Sequence, residues 1–109
     1  MLLLITSKAT EETIKKVAED LEGYIKFVVD VEREILAAGG KRHFEGEELL
    51  LKNGSKQENL WGGGLDLETR EIDFDSIINL RPREDNPSRE IINPQIRKRA
   101  EEIVKFLLK

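Results

Sequence analysis

The 109-residue chain has no cysteine, one histidine, one tryptophan and three prolines. Without cysteine there is no disulfide scaffold, thiol nucleophile, zinc finger or iron–sulfur centre, and a cytoplasmic setting is the default. With His43 as the only imidazole, a serine–histidine–acid triad would have to recruit Ser7, Ser55, Ser76 or Ser88. None of these sits in a nucleophile-elbow context. Long apolar runs are missing too. The run at residues 2–5 is too short for a signal peptide or a membrane span, and no basic residue precedes it, so no targeting segment and no membrane association are expected. The glycines form neither a P-loop nor a G-x-G-x-x-G signature: Gly62-Gly63-Gly64 lacks the lysine and the helix start.

Charge, by contrast, is abundant. Asp and Glu number 22 against 18 Lys and Arg, for a net charge of -4, and the excess is uneven. Residues 1–80 carry 10 basic and 17 acidic side chains, for -7, whereas residues 81–109 carry 8 and 5, for +3. A basic tail can contact an anion or fold onto its own acidic body. An acidic chain with only 6% aromatics disfavours nucleic acid as the partner. The enrichment in Glu, Lys and Ile resembles thermophile usage.

The length suits a single compact domain spanning 1–109. Thr10 with Glu11 and Glu12 reads as a helix start, Ile14, Val17, Ala18 and Leu21 as its apolar stripe, and Gly23 as its stop. From residue 25 to 31 the period becomes two, with Ile25, Phe27, Val29 and Val31 alternating against Lys26 and Asp30, which predicts a strand. The segments from Asp30 to Ile35 and from Asp66 to Ile72 echo one another and read as two hairpin turns. Gly39-Gly40 closes the first hairpin, and residues 72–80 return the second. Residues 47–52 favour a short helix stopped by Asn53-Gly54, and Ser55-Lys56-Gln57-Glu58 has capping-box spacing. Asn93 and Pro94 open a last helix whose stripe is Ile96, Ala100, Ile103, Val104 and Leu107. The expected fold is therefore α+β, a small sheet of two β-hairpins plus an N-terminal strand with two long amphipathic helices on one face.

Two constellations could carry chemistry. Asp30, Glu32, His43 and Asp75 offer hard oxygen ligands and one imidazole, a set that could hold Mg²⁺ or Mn²⁺ in a metal-assisted hydrolase or nuclease. Carboxylates alternating along a strand also simply line a solvated face. Asn79, Arg81, Arg83, Ser88 and Arg89 offer the donors that bidentate recognition of a small anionic ligand requires, or alternatively a buried ion-pair network with Asp30, Glu32 or Asp75. Trp61 sits beside the triple glycine, a point that implies either a sharp bend or a close approach by a ligand. Its ring is either a core residue or one wall of a ligand site.

The strings Gly54-Ser55-Lys56-Gln57-Glu58-Asn59-Leu60-Trp61-Gly62 and Asp75-Ser76-Ile77-Ile78-Asn79-Leu80-Arg81-Pro82 are the most specific in the chain. With Val28-Val29-Asp30-Val31-Glu32, Gly39-Gly40-x-x-His43 and Asn86-x-Ser88 they resemble, over nearly the whole length, a small family of uncharacterised prokaryotic proteins, a domain of unknown function. That resemblance implies one compact domain and supplies no activity. No catalytic constellation is complete, so the expectation is a non-enzymatic binding or self-associating module, a homo-oligomer without a cofactor, with a polar, arginine-containing patch.

Overall fold

A computed structural model describes residues 1–109. It is an α+β protein with a five-stranded antiparallel sheet in the order β1-β3-β2-β4-β5: β1 Leu3–Ile5, β2 Tyr24–Asp30, β3 Ile35–Ala38, β4 Leu60–Asp66 and β5 Ile72–Asp73. Three α-helices complete it: α1 Glu11–Ala18, α2 His43–Lys52 and α3 Pro94–Leu108. No helix is long and apolar enough to cross a membrane.

Local chemistry sets the helix ends. Thr10 Oγ1 accepts from the Thr13 N–H and Asn93 Oδ1 from the N–H groups of Gln95 and Ile96, each answering donors that a helix start leaves unpaired. After α1 the chain tightens into a 3₁₀ turn over Glu19–Leu21, and Glu22 and Gly23 then turn left-handed.

Alternation in β2 divides the molecule into two cores. Ile25, Phe27 and Val29 face α1 and α3 in the larger cluster, with Val17, Ala18, Ala100, Ile103, Val104 and Leu107. Val28, on the opposite parity, packs with Ala37, Ile35, Leu60 and Leu50 of α2. Here the expectation of two long helices on one face needs correcting. α1 has only eight residues, and a third helix, begun at His43 rather than at Glu47, covers the other face. The periodicity of α2 is hard to read because Gly46, with no side chain, is what lets the helix settle on Val28 and Ala37.

The turns after Asp30 and Asp66 are built alike. Each aspartate Oδ1 accepts from the N–H groups two and three residues on, each backbone carbonyl accepts from the residue four on, and that residue, Glu34 or Arg70, is left-handed.

The return strand expected over residues 72–80 stops at Asp73. Asp73 Oδ1 accepts from the Asp75 N–H and Ser76 Oγ from the Ile78 N–H, so short polar side chains outcompete the ladder and wind Ile77–Asn79 into a 3₁₀ turn. The capping box expected at Ser55 does not form either. Only Gln57–Asn59 curl before β4 begins, and Ser55 Oγ accepts from Arg33 Nη1 instead.

Candidate functional site

Because β5 ends after two residues, the outer edge of β4 runs on beyond its backbone partner. Gly64 still pairs with Asp73, but Gly62 and Leu60, the next residues of that parity, have no strand beside them. Side chains take its place. Asn79, fully buried, accepts from the Gly62 N–H through Oδ1 at 2.8 Å and donates to the Gly62 carbonyl through Nδ2 at 3.0 Å, as a neighbouring peptide unit would. The same Nδ2 reaches the carbonyls of Phe74 and Arg89.

Two residues on, Arg81 serves Leu60. Its Nη2 donates to the Leu60 carbonyl, Nη1 to those of Gln57 and Glu58, and Nε to that of Ile78, while the guanidinium stacks 4.1 Å from the Trp61 ring centroid. The side chain is only 5% exposed and its nearest carboxylate is Glu84 at 3.9 Å. Burial pushes the Arg81 guanidinium down from its ordinary value, and Glu84 and Glu47 oppose the shift. Asn86 closes the knot by donating to the carbonyls of Asn79, Ser88 and Glu90 and accepting from the Ile92 N–H.

The triple glycine makes room for this arrangement and bends nothing. A Cβ on Gly62 would stand 2.7 Å from Ser76 Oγ and 3.1 Å from the His43 ring, and one on Gly63 would strike the Asp73 carbonyl and the Phe27 ring. The close approach is made by the protein itself. On the α2 side, His43 Nε2 donates to the Gly63 carbonyl at 2.7 Å, an oxygen that can only accept, which fixes the proton on Nε2.

Burial pushes the His43 imidazole below its ordinary value, helped by Lys26 and opposed by the Gly63 hydrogen bond and by Asp73 and Asp75. An unfolded His43 takes up its proton as pH falls through about 6.5, whereas the folded one resists. The stabilisation is therefore complete above that value, declines as pH falls toward the depressed folded value, and is level beneath it. Urea midpoints measured between about pH 7.5 and about pH 5.5 should fall further for the natural protein than for His43→Gln, whose amide keeps a donor without the titration.

The other candidates scatter. Asp30 is buried at the end of β2, where Oδ1 caps the following turn, and Glu32 lies exposed in that turn. His43 faces Gly63, and Asp75 pairs at the surface with Arg89 at 2.9 Å. No three His, Asp or Glu side chains form a group that could hold a metal ion, so the Mg²⁺ or Mn²⁺ set does not assemble: Asp30 caps a turn through Oδ1, its buried Oδ2 has no partner, and Asp75 is held at the surface by a guanidinium.

Of the anion set, Asn79 and Arg81 point inward and are engaged. Arg83 is exposed, Ser88 Oγ accepts from the Glu90 N–H, and Arg89 holds Asp75. Trp61 is buried in the larger core with Arg81 on its face. Reading the sequence missed Asn86 as the brace of residues 79–92, although an Asn-Pro pair within a long connection is a turn signal of the right kind.

No curated protein and no solved structure matches the chain. A family model does, over residues 3–107, which takes in both the Leu60-Trp61-Gly62 edge and the Asn79-Leu80-Arg81 brace that closes it. The chain thus belongs to the family described as Protein of unknown function (DUF5674).

Proposed function

We propose that this chain is a small, cytoplasmic, non-enzymatic binding module that works by associating with a second copy of itself through the outer face of α2 and the adjoining 77–80 turn. The observation that carries the reading is the apolar surface left there. Phe44 is 51% and Ile77 60% exposed, on two elements that touch, with Leu51 exposed two turns along α2 and Leu80 exposed at the end of the turn. Large apolar side chains grouped in this way mark an interaction site. Glu45, Glu48 and Lys52 on α2, with Arg83 and Glu84 past the turn, give the face both signs of charge. Two copies related by a two-fold axis can then satisfy one another.

Chemistry is disfavoured on physical grounds. The buried donors of Asn79, Arg81 and Asn86 all serve backbone carbonyls, which leaves none poised over a reacting group. Sedimentation equilibrium should give a mass near twice 12.5 kDa, and Phe44→Glu or Ile77→Glu should return it to 12.5 kDa with the circular dichroism spectrum unchanged and a thermal midpoint that no longer depends on protein concentration. A mass of 12.5 kDa at every concentration would remove the proposal.

A further inference from the structure

On the other side of the sheet the start of α1, the end of α3 and the turn between β4 and β5 enclose a groove of about 450 Å³. Its floor is apolar: Ala9, Ile14, Leu67 and Leu108 continue the larger core to the surface. Its rim is made by the cationic side chains of Lys8, Lys15, Arg70 and Lys109 with one acidic side chain, Glu11. None of the four cations forms an ion pair, although acidic side chains outnumber basic ones in the chain and Lys16, one residue from Lys15, does pair with Glu12.

The enclosure is held in place. The Ala9 N–H donates to the Leu107 carbonyl at 2.8 Å and the Leu67 N–H to the Gly23 carbonyl at 2.9 Å, fixing the floor from both sides. Lys109 Nζ donates to the Arg70 carbonyl at 3.0 Å, which stations one ammonium at the rim, and Arg70 itself holds a left-handed turn position where glycine or asparagine is the cheaper residue.

The geometry points to this groove as a binding site for a small amphiphilic anion, an apolar body bearing a carboxylate or phosphate head. Unpaired cations on separate elements concentrate positive potential where the surrounding protein is acidic. A floor of this size removes a short hydrocarbon chain or a ring from water, and the volume lies within the range of about 300–1,000 Å³ usual for small-ligand sites. Both halves are needed. The apolar floor supplies affinity without choosing a head group, and the ammonium and guanidinium groups choose the head without holding it against water. The groove lies across the sheet from Phe44 and Ile77, so its occupancy and the association of copies are separate properties.

Decanoate is a suitable probe, with decanol and acetate as the same body without the charge and the same charge without the body. Calorimetry should show saturable decanoate binding, at least about tenfold tighter than decanol or acetate, with amide shifts centred on Ala9, Ile14, Leu67 and Leu108. Lys15→Glu and Arg70→Glu, two exposed side chains free of ion pairs, should each weaken decanoate about tenfold with the circular dichroism spectrum unchanged, Lys15→Glu also lowering the thermal midpoint slightly because it sets a carboxylate in the last turn of α1. Decanoate that fails to saturate at millimolar concentration, decanol that binds equally well, or affinity indifferent to both charge reversals would overturn the assignment. Binding confined to vesicles of phosphatidylglycerol, with none to decanoate, would overturn it too, as adsorption to a charged surface and not occupation of a groove. Association measured in parallel by sedimentation keeps a failure here distinct from a failure of self-association.

Discussion

Arg81→Met should cost about 3–4 kcal/mol and lower the thermal midpoint on the order of 15 °C. Methionine keeps an unbranched apolar stem against Trp61 but removes every donor. The Leu60 carbonyl, inside the fold, then has no partner on its outer side, the carbonyls of Ile78 and Glu58 lose the Arg81 donor, and that of Gln57 keeps only the Leu60 N–H. Leaving such acceptors unmade costs more than forming them gained. Arg81→Lys is the informative companion. An ammonium can reach one or two of these carbonyls but cannot span four with a planar fork, so it should recover less than half of the loss. Chemical denaturation with both variants decides the matter. If lysine restored full stability, the guanidinium would be acting as a charge rather than as a substitute strand, and Glu84 and Glu47 would be its real partners.

Gly63→Ala should be nearly as damaging, at the upper end of the range of about 1–3 kcal/mol for overpacking and beyond it if β4 cannot shift. The added methyl meets the Asp73 carbonyl, part of the β5 backbone, and the Phe27 ring at 2.7 Å. Phe27 is itself locked edge-on to Phe74, with ring centroids 5.8 Å apart, so neither obstacle can swing away. Gly64→Ala differs in kind, because its methyl meets the Tyr24 hydroxyl and ring, a side chain that substitution can remove. In a Tyr24→Ala background the cost of Gly64→Ala should shrink, whereas that of Gly63→Ala should persist. Thermal melts of the five variants, the three single substitutions and the two doubles, test this. The Tyr24 hydroxyl donates to Asp73 Oδ2 at 2.6 Å, so its removal carries a penalty of its own that the double-mutant comparison subtracts.

Much of this could be read from the chain. The caps at Thr10 and Asn93, the stripes of α1 and α3 and the alternation in β2 are local signals, and local physics decides them. The end of β5 misled because Ile72, Ile77, Ile78 and Leu80 look like strand residues. What stops the strand is two short polar side chains, Asp73 and Ser76, whose preference for their own backbone is invisible to hydrophobic periodicity. At the site, the sequence groups Asn79 and Arg81 with Arg83, Ser88 and Arg89 and sets Trp61 apart from them; the structure instead stacks Arg81 on Trp61 and leaves Arg83 and Arg89 at the surface. The direction of Asn79 and Arg81 was not legible. Whether an asparagine and an arginine at alternating positions face a ligand or a strand edge depends on what lies across from them. Here that is Leu60 and Gly62, some 20 positions earlier, on a strand whose missing side chains only tertiary packing explains.

A strand left open at the side of a sheet invites another strand, from any chain, to add to it. β4 would present such a template over Leu60 to Gly62 once β5 has ended. Asn79 and Arg81 instead fill its hydrogen-bonding positions with groups that end the ladder: a carboxamide has no further peptide behind it, and a guanidinium has donors only. Over Leu60 to Gly62 the edge is therefore closed to a further strand, and only the two residues of β5 are left open on this side of the sheet.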